Sequence, residues 1–298
     1  MKNTFIYIAI VILFSTCLGL DDNLYTNDNS ITEYKFDDYE GTKEIDLDDT
    51  YDIPAEDIHL MPLTSNLDGD AVKIWSIYLG KIENISTDTI IMYCHGNADH
   101  MDNYWNRAKL LYHSGNEKGR YGLMMVDYRG YGLSEGDPIE SGLLVDVDAA
   151  LIWLKSKGLT DDRLVIYGYS LGSIPATAHC AAPLSLKPSK LILENPIGSI
   201  TTMVQDASNL SMPTTFFTDL ETDNIERIKD VVQPLLWLAG EDDNFLHHLT
   251  HGKPIYDNHK GKFKDFEIVP KAVHNNLPKI MGYKAYAKKM GEFIRRNE

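Results

Sequence analysis

One serine of this chain lies in a setting that could make it a nucleophile. Ser170 is the centre of the Gly-x-Ser-x-Gly motif Gly168–Gly172, which directly follows the apolar run Leu164–Tyr167. The motif alone is weak evidence, because it arises by chance in roughly one protein in ten of this length. A strand, a sharp turn and a helix in succession are, however, the setting of a nucleophile elbow. The structural alternative is that Ser170 caps the helix that follows it.

A serine hydroxyl at neutral pH needs a base, and the base needs an acid that orients it. Two suitable residues follow Ser170 in the order that such a fold requires: Asp243 and then His274, each directly after an apolar strand pattern. We expect both side chains near Ser170, because open sheets of this type build their sites at the carboxyl ends of strands. Asp242 is the competing acid, and the spacing favours Asp243.

The elements that must position these residues alternate along the chain from about residue 58. Ile58–Thr64 and Val72–Leu79 predict an opening pair of strands around the turn at Asp68-Gly69. Further apolar strand patterns separated by helix patterns predict an α/β fold, with a mostly parallel sheet covered by helices on both faces. Residues 198–228 are too long for a plain loop and predict a small cap, the alternative being a longer crossover helix.

Several motifs, taken together, resemble those of the α/β-hydrolase superfamily, and in particular its serine-aminopeptidase-like branch. That branch includes acylglycerol lipases, depalmitoylating thioesterases and many bacterial hydrolases. The resemblance covers about residues 58–296, and the joint order of its motifs is highly specific. The matching runs are Tyr93–Ala98, Val126–Gly136, Gly168–Gly172, Glu194–Pro196, Gly240–Asp243 and His274–Asn276.

The resemblance implies roles for further residues. The loop His95–Asn97 is similar to the one that supplies an oxyanion-hole N–H in the family, which here would be that of Asn97, and the second would come from Leu171. Asp127 and Arg129 would brace the end of a strand and take no part in the chemistry. No cofactor is expected for this kind of reaction.

The acidity of the chain belongs mostly to its N-terminal part. The formal net charge is −16, and residues 21–57 hold 14 acidic side chains and two basic ones. We expect residues 20–57 to be a solvated, flexible acidic linker, with the hydrolase domain over residues 58–298. Neither part offers the basic surface that nucleic-acid binding requires.

The first 19 residues predict an export signal. Lys2 precedes the apolar run Phe5–Phe14, which is too short to span a bilayer, since spanning takes about 20 residues. Phe14–Cys17 resembles a bacterial lipobox, in which Cys17 would be lipidated and would tether the protein to a membrane. Simple secretion is the alternative. The predicted location is therefore outside the cytoplasm, either membrane-anchored or free.

The remaining histidines and cysteines favour structural roles. His247 and His251 have the i, i+4 spacing of a helical metal pair, but no third ligand stands out nearby. His179 is expected to pack on a helix. Cys94 and Cys180 are too few for a disulfide framework and are expected to be small buried hydrophobic residues.

The resulting hypothesis is an exported serine hydrolase that cleaves a small acyl ester or thioester through an acyl-enzyme on Ser170. A peptidase or amidase would use the same triad, so the residues leave that choice open. A non-catalytic binding protein on the same fold is the alternative from another class.

The lipidation hypothesis predicts that Cys17→Ala releases the protein from membranes. Cell fractionation and the intact mass of the mature protein measure this, because loss of the lipid should lower both membrane partitioning and mass. Unchanged partitioning of the variant would rule the hypothesis out.

Overall fold

A computed structural model describes residues 25–115, 120–208 and 222–296, except the side chains of Val204, Ala207 and Ser208. The predicted export signal and Cys17 lie outside the described residues, as do residues 209–221 of the predicted cap, so these features stay predictions. In the part of the chain that is described, no helix is long and apolar enough to cross a membrane.

The described residues form one eight-stranded sheet. Its strands are β1 Ile58–Leu67, β2 Asp70–Leu79, β3 Ile90–Cys94, β4 Gly122–Val126, β5 Leu164–Tyr169, β6 Lys190–Glu194, β7 Leu235–Gly240 and β8 Lys264–Val269. Their order across the sheet is β1-β2-β4-β3-β5-β6-β7-β8. Strands β3 to β8 are parallel to one another, whereas β1 and β2 are antiparallel to their neighbours. The predicted fold class is confirmed.

The opening hairpin forms where the sequence predicts it. Leu67 pairs with Asp70, so only Asp68 and Gly69 make the turn. Both have positive φ values, 53° and 96°. A two-residue turn of this kind fits the right-handed twist of the strands, and Asp-Gly is a preferred sequence for it.

Helices cover both faces of the sheet. They are α1 Met101–Tyr112, α2 Glu140–Ser156, α3 Ser173–Ala181, α4 Ile200–Ser208, α5 Asn224–Arg227, α6 Gly252–Asn258, α7 Leu277–Met281 and α8 Tyr283–Arg295. Met92 of β3 packs in the same buried cluster as Leu151 of α2, and Tyr93 packs with Trp105 of α1. Because neighbouring strand residues point to opposite faces, the sheet separates two hydrophobic cores.

The acidic segment differs from the flexible linker expected over residues 20–57. Residues 25–57, which we call the N-terminal strap, lie against the domain, and Ile45 and Ile53 are buried in the core on the α1 face. The carboxylate of Asp102, in the first turn of α1, accepts hydrogen bonds from the backbone N–H groups of Lys35 and Phe36. The strap folds because it buries apolar side chains and pairs its polar groups. The high net charge of the segment gives no sign of these contacts in the sequence.

The packing of the strap predicts a large effect of Ile45→Ala. Ile45 is 2% exposed, and truncating a buried isoleucine to alanine costs about 2–5 kcal/mol in the free energy of unfolding. Denaturant unfolding measures it, with Ile152→Ala as the control, because Ile152 is 55% exposed on α2. A change in the Ile45 variant as small as that of the control would mean that the strap does not belong to the cooperative unit.

Candidate active site

Ser170 lies at a sharp turn between β5 and α3. Its φ of 51° is unusual for a residue with a side chain, and such strain persists only where the surroundings impose it. A Cβ added to Gly172 would lie 2.0 Å from the carbonyl oxygen of Cys94, and one added to Gly168 would lie 2.6 Å from that of Gly172. The two glycines of the motif are therefore needed because backbone approaches backbone on both sides of Ser170.

Three residues that are distant in sequence meet at this turn. The Nε2 atom of His274 lies 2.9 Å from the Oγ atom of Ser170, and its Nδ1 atom lies 2.7 Å from the Oδ2 atom of Asp243. Asp243 is fully buried and Ser170 nearly so, whereas the His274 side chain is 22% exposed. This is the geometry in which a histidine can take a proton from a serine while a carboxylate holds its ring.

Asp243 is held as a carboxylate. Burial alone would raise the pKa of Asp243, but its hydrogen bond with His274 and those from the N–H groups of Phe245 and Leu246 outweigh it and lower the pKa below the usual 3.8. The side chain therefore stays ionised throughout the neutral range. Asp242, the competing acid, is exposed to solvent, so the structure places Asp243 rather than Asp242 against His274.

Two side chains hold the backbone of His274. The Asn195 Nδ2 atom donates to the His274 carbonyl oxygen at 2.6 Å, and the Tyr169 hydroxyl donates to it at 3.1 Å. Asn195 also accepts the N–H of Gly240 at the end of β7. This role of Asn195 was not predicted from the sequence, although its position directly after β6, at the site edge of the sheet, was a usable signal.

The two residues expected to form the oxyanion hole lie beside Ser170. Leu171 follows Ser170 in a short helical turn, where N–H groups lack intrahelical partners. Asn97 lines the same cavity as Ser170, in the loop that follows β3. The Asn97 side-chain oxygen accepts hydrogen bonds from Tyr131 and from the N–H of Thr26, so this loop is fixed by the domain and by the strap.

A buried arginine packs directly under the turn. Arg107 of α1 is fully buried and lies over the ring of Tyr169, 4.3 Å from its centroid. Its guanidinium makes two hydrogen bonds of 2.7 Å with Glu44 of the strap and one of 2.5 Å with Glu194 of β6. Tyr169, which precedes the nucleophile, therefore packs on a guanidinium that is hydrogen-bonded to two carboxylates.

A cavity of about 480 Å³ opens above Ser170 and His274. Tyr104, Tyr169 and Phe245 give it an aromatic side. The other residues that line it are Thr26, Thr42, Lys43, Glu44, Asn97, Ala98, Asp99, Asn103 and Asn275. Its size is that of an ordinary small-molecule site.

Asp127 and Arg129 lie away from the cavity and make structural contacts. Asp127 lies 3.2 Å from the Nε2 atom of His95 and accepts a hydrogen bond from Tyr34 of the strap. Arg129 pairs with buried Asp146 at 2.8 Å. These contacts hold the end of β4 in the way that the resemblance implied.

The other histidines and cysteines take part in packing. His251 is buried, and its Nδ1 atom accepts the N–H of Gly198. One of the two ring nitrogens that could bind a metal ion is therefore already in use. Within the described ranges, no three histidine, cysteine or acidic side chains are grouped to hold a metal ion. His179 bonds to the carbonyl oxygen of Leu144. Cys94 and Cys180 are both buried, which raises the pKa of their thiols.

Sequence comparison places the chain in a family. The family described as serine aminopeptidase, S33, matches residues 85–220. The protein bem46 of Schizosaccharomyces pombe is 31% identical over 72% of this chain and 71% of its own length. The human protein ABHD12B is 32% identical over 63% of this chain, and the match spans 56% of its own length. The chain belongs to the α/β-hydrolase superfamily.

Solved structures with the same fold include the esterase Pf2001 of Pyrococcus furiosus. It matches with a TM-score of 0.66 at 15% identity, over 91% of this chain and 98% of its own. The protein Est1E of Butyrivibrio proteoclasticus, solved with ferulic acid bound, matches with a TM-score of 0.60 at 16% identity, over 78% of this chain and 97% of its own. At these identities the likeness is one of fold.

The geometry predicts that Asp243→Asn lowers kcat by roughly 10³–10⁴-fold, because the amide favours the wrong tautomer of His274. The KM should change little, since Asp243 does not line the main cavity. Asp242→Asn is the matched control and should leave kcat within about twofold of the wild type. Steady-state kinetics on a chromogenic ester measure both. A larger loss in the Asp242 variant would reverse the assignment of the acid.

Proposed function

We propose that this α/β hydrolase cleaves a carboxylic ester or thioester, and that Ser170 carries the acyl group between the two halves of the reaction. The single observation that supports this most strongly is the continuous hydrogen-bonded series from Ser170 through His274 to Asp243, on a cavity that reaches solvent. A non-catalytic binding protein would have no need of this arrangement.

The proposed reaction has two halves. The Oγ atom of Ser170 attacks the substrate carbonyl while Nε2 of His274 takes its proton, and Asp243 stabilises the imidazolium that forms. The tetrahedral intermediate then collapses, the bond to the leaving group breaks, and His274 gives the proton to the departing oxygen or sulfur. A water molecule, deprotonated by His274, attacks the acyl-enzyme, and the second collapse releases the acid and restores Ser170.

The negative oxygen of each intermediate needs donors that are already in place. The N–H groups of Asn97 and Leu171 are the proposed pair, because the first belongs to a loop fixed by hydrogen bonds and the second follows the nucleophile. Loss of one such donor typically costs about 2.7–4 kcal/mol of transition-state stabilisation.

An ester or thioester is favoured over an amide by solved structures with the same fold, since Pf2001 and the EaEST protein of Exiguobacterium antarcticum are named esterases. This support is an analogy, because one fold can carry several activities. The second candidate is a peptidase or amidase, which the description of the matching family favours. The chemistry at Ser170 would be the same in both.

Labelling with a fluorophosphonate probe tests the nucleophile. We expect the wild type to be labelled and to hydrolyse p-nitrophenyl acetate, and Ser170→Ala to lose labelling and at least about 10³-fold in kcat. Ser156→Ala, which removes an exposed hydroxyl from α2, is the matched control and should behave like the wild type.

Equal labelling of the Ser170 and Ser156 variants would refute the proposal. A parallel panel of p-nitrophenyl esters, acyl thioesters and aminoacyl p-nitroanilides separates the two candidate functions. Faster turnover of the anilides than of the esters would favour the peptidase.

A further inference from the structure

The N-terminal strap forms one wall of the cavity above Ser170. Thr26, Thr42, Lys43 and Glu44 all belong to it and line the same space as Ser170 and His274. These residues lie outside the region that the family match covers, which begins at residue 85. The strap therefore contributes four of the residues around the reacting groups.

The strap is fastened at the points where it enters the cavity. Glu44 is held by its two hydrogen bonds with Arg107, and its backbone N–H donates to the carbonyl oxygen of Asn103 at 3.3 Å. The next residue, Ile45, is buried and accepts a hydrogen bond of 2.7 Å from the side chain of Asn106. Thr42 and Lys43, which directly precede these anchors, therefore have a fixed place in the wall.

Most of the charged and polar groups around the cavity already have partners. The Glu44 carboxylate is neutralised by Arg107, and the Asp99 carboxylate accepts a hydrogen bond from Asn103. Lys43 differs, because its ammonium donates to one acceptor, the carbonyl oxygen of Asp37 at 3.2 Å. An ammonium has three donors, so Lys43 keeps donors for a ligand.

A long aliphatic chain that lay against Thr42 and Lys43 would match the polar groups of this wall poorly. It would displace water from the Lys43 ammonium and the Thr42 hydroxyl without replacing the hydrogen bonds, which is costly for a polar group and more so for a charged one. Sites that present polar groups discriminate strongly against ligands that leave those groups unpaired.

We propose that the strap makes this cavity selective for short esters with a hydrogen-bond acceptor in their acyl or alcohol part, and that Lys43 and Thr42 are the specificity-determining donors. The inference rests on the proposed function of Ser170. It goes further by assigning the substrate class and the residues that select it.

Isosteric pairs of esters test the substrate class in a pH-stat assay of the wild-type protein. Monomethyl succinate and methyl levulinate carry an acceptor in the acyl part, and methyl pentanoate is their apolar match. The ester 2-methoxyethyl acetate carries an acceptor in the alcohol part, and butyl acetate is its apolar match. In the acyl pairs, the alcohol pair or both, we expect kcat/KM to be at least about fivefold higher for the ester with the acceptor than for its apolar match.

Two variants test the residues. Lys43→Met keeps the length of the side chain and removes the ammonium, so it should lower kcat/KM for the preferred acceptor-bearing esters roughly tenfold and leave their apolar matches nearly unchanged. Thr42→Val removes only a hydroxyl and should have a smaller effect of the same kind. Lys35→Met and Thr32→Val change exposed residues of the same strap outside the cavity, and should leave the preference intact.

The inference fails if the wild type hydrolyses both members of every pair equally well, or if Lys43→Met changes all esters by the same factor. Fluorophosphonate labelling of Ser170 separates this failure from failure of the proposed function. Labelling without any preference among the pairs overturns the role of the strap alone, whereas absence of labelling overturns the serine hydrolase itself.

Discussion

The guanidinium of Arg107 is a full positive charge without contact with solvent, and the surroundings of the candidate site are built to compensate it. Burial would lower the pKa of Arg107, but the carboxylates of Glu194 and Glu44 outweigh this and raise it further. An unpaired buried charge costs several kcal/mol or more, and breaking such a pair leaves that cost uncompensated. Glu194 balances the charge and Glu44 accepts two further hydrogen bonds, so both acids are needed to satisfy the buried guanidinium, although one belongs to the sheet and the other to the strap.

The same cluster reaches the catalytic residues through rigid contacts. Glu194 ends β6 and accepts hydrogen bonds from the hydroxyls of Tyr167 and Tyr286, so its carboxylate is fixed. The next residue, Asn195, holds the backbone of His274. On the other side of the cation, Tyr169 stacks on Arg107 and donates to the same backbone oxygen. Through Tyr169 and through Glu194 with its neighbour Asn195, Arg107 thus supports the backbone of the catalytic base His274 without touching the reacting atoms.

The features that depend on a local sequence pattern could be predicted, whereas contacts between residues that are distant in sequence could not. The elbow at Ser170, the acid Asp243 and the base His274 each follow a strand pattern, so their common edge of the sheet could be inferred. The burial of the start of α1 and the packing of the strap could not be inferred in this way. Asp102 and Asn103 look like surface residues in sequence, and they are buried where the strap contacts the first turn of α1. Likewise Glu44 has its partner 63 residues away, beyond any periodicity.

The strap belongs to the folded domain through buried polar contacts as well as through its apolar side chains. Lys109 pairs with Asp37 and Asp52 of the strap, but both acids are about half exposed, and such pairs contribute little and weaken with salt. The Glu44 side chain is only 4% exposed, so its pair with Arg107 is screened far less. A domain that began at β1 would keep the ion pair of Arg107 with Glu194, but would lose the acceptor of the Arg107 Nε and Nη2 donors. Residues 25–57 therefore pack as part of the folded domain, and an acidic side chain of a segment whose composition predicts a linker satisfies buried donors in the folded chain.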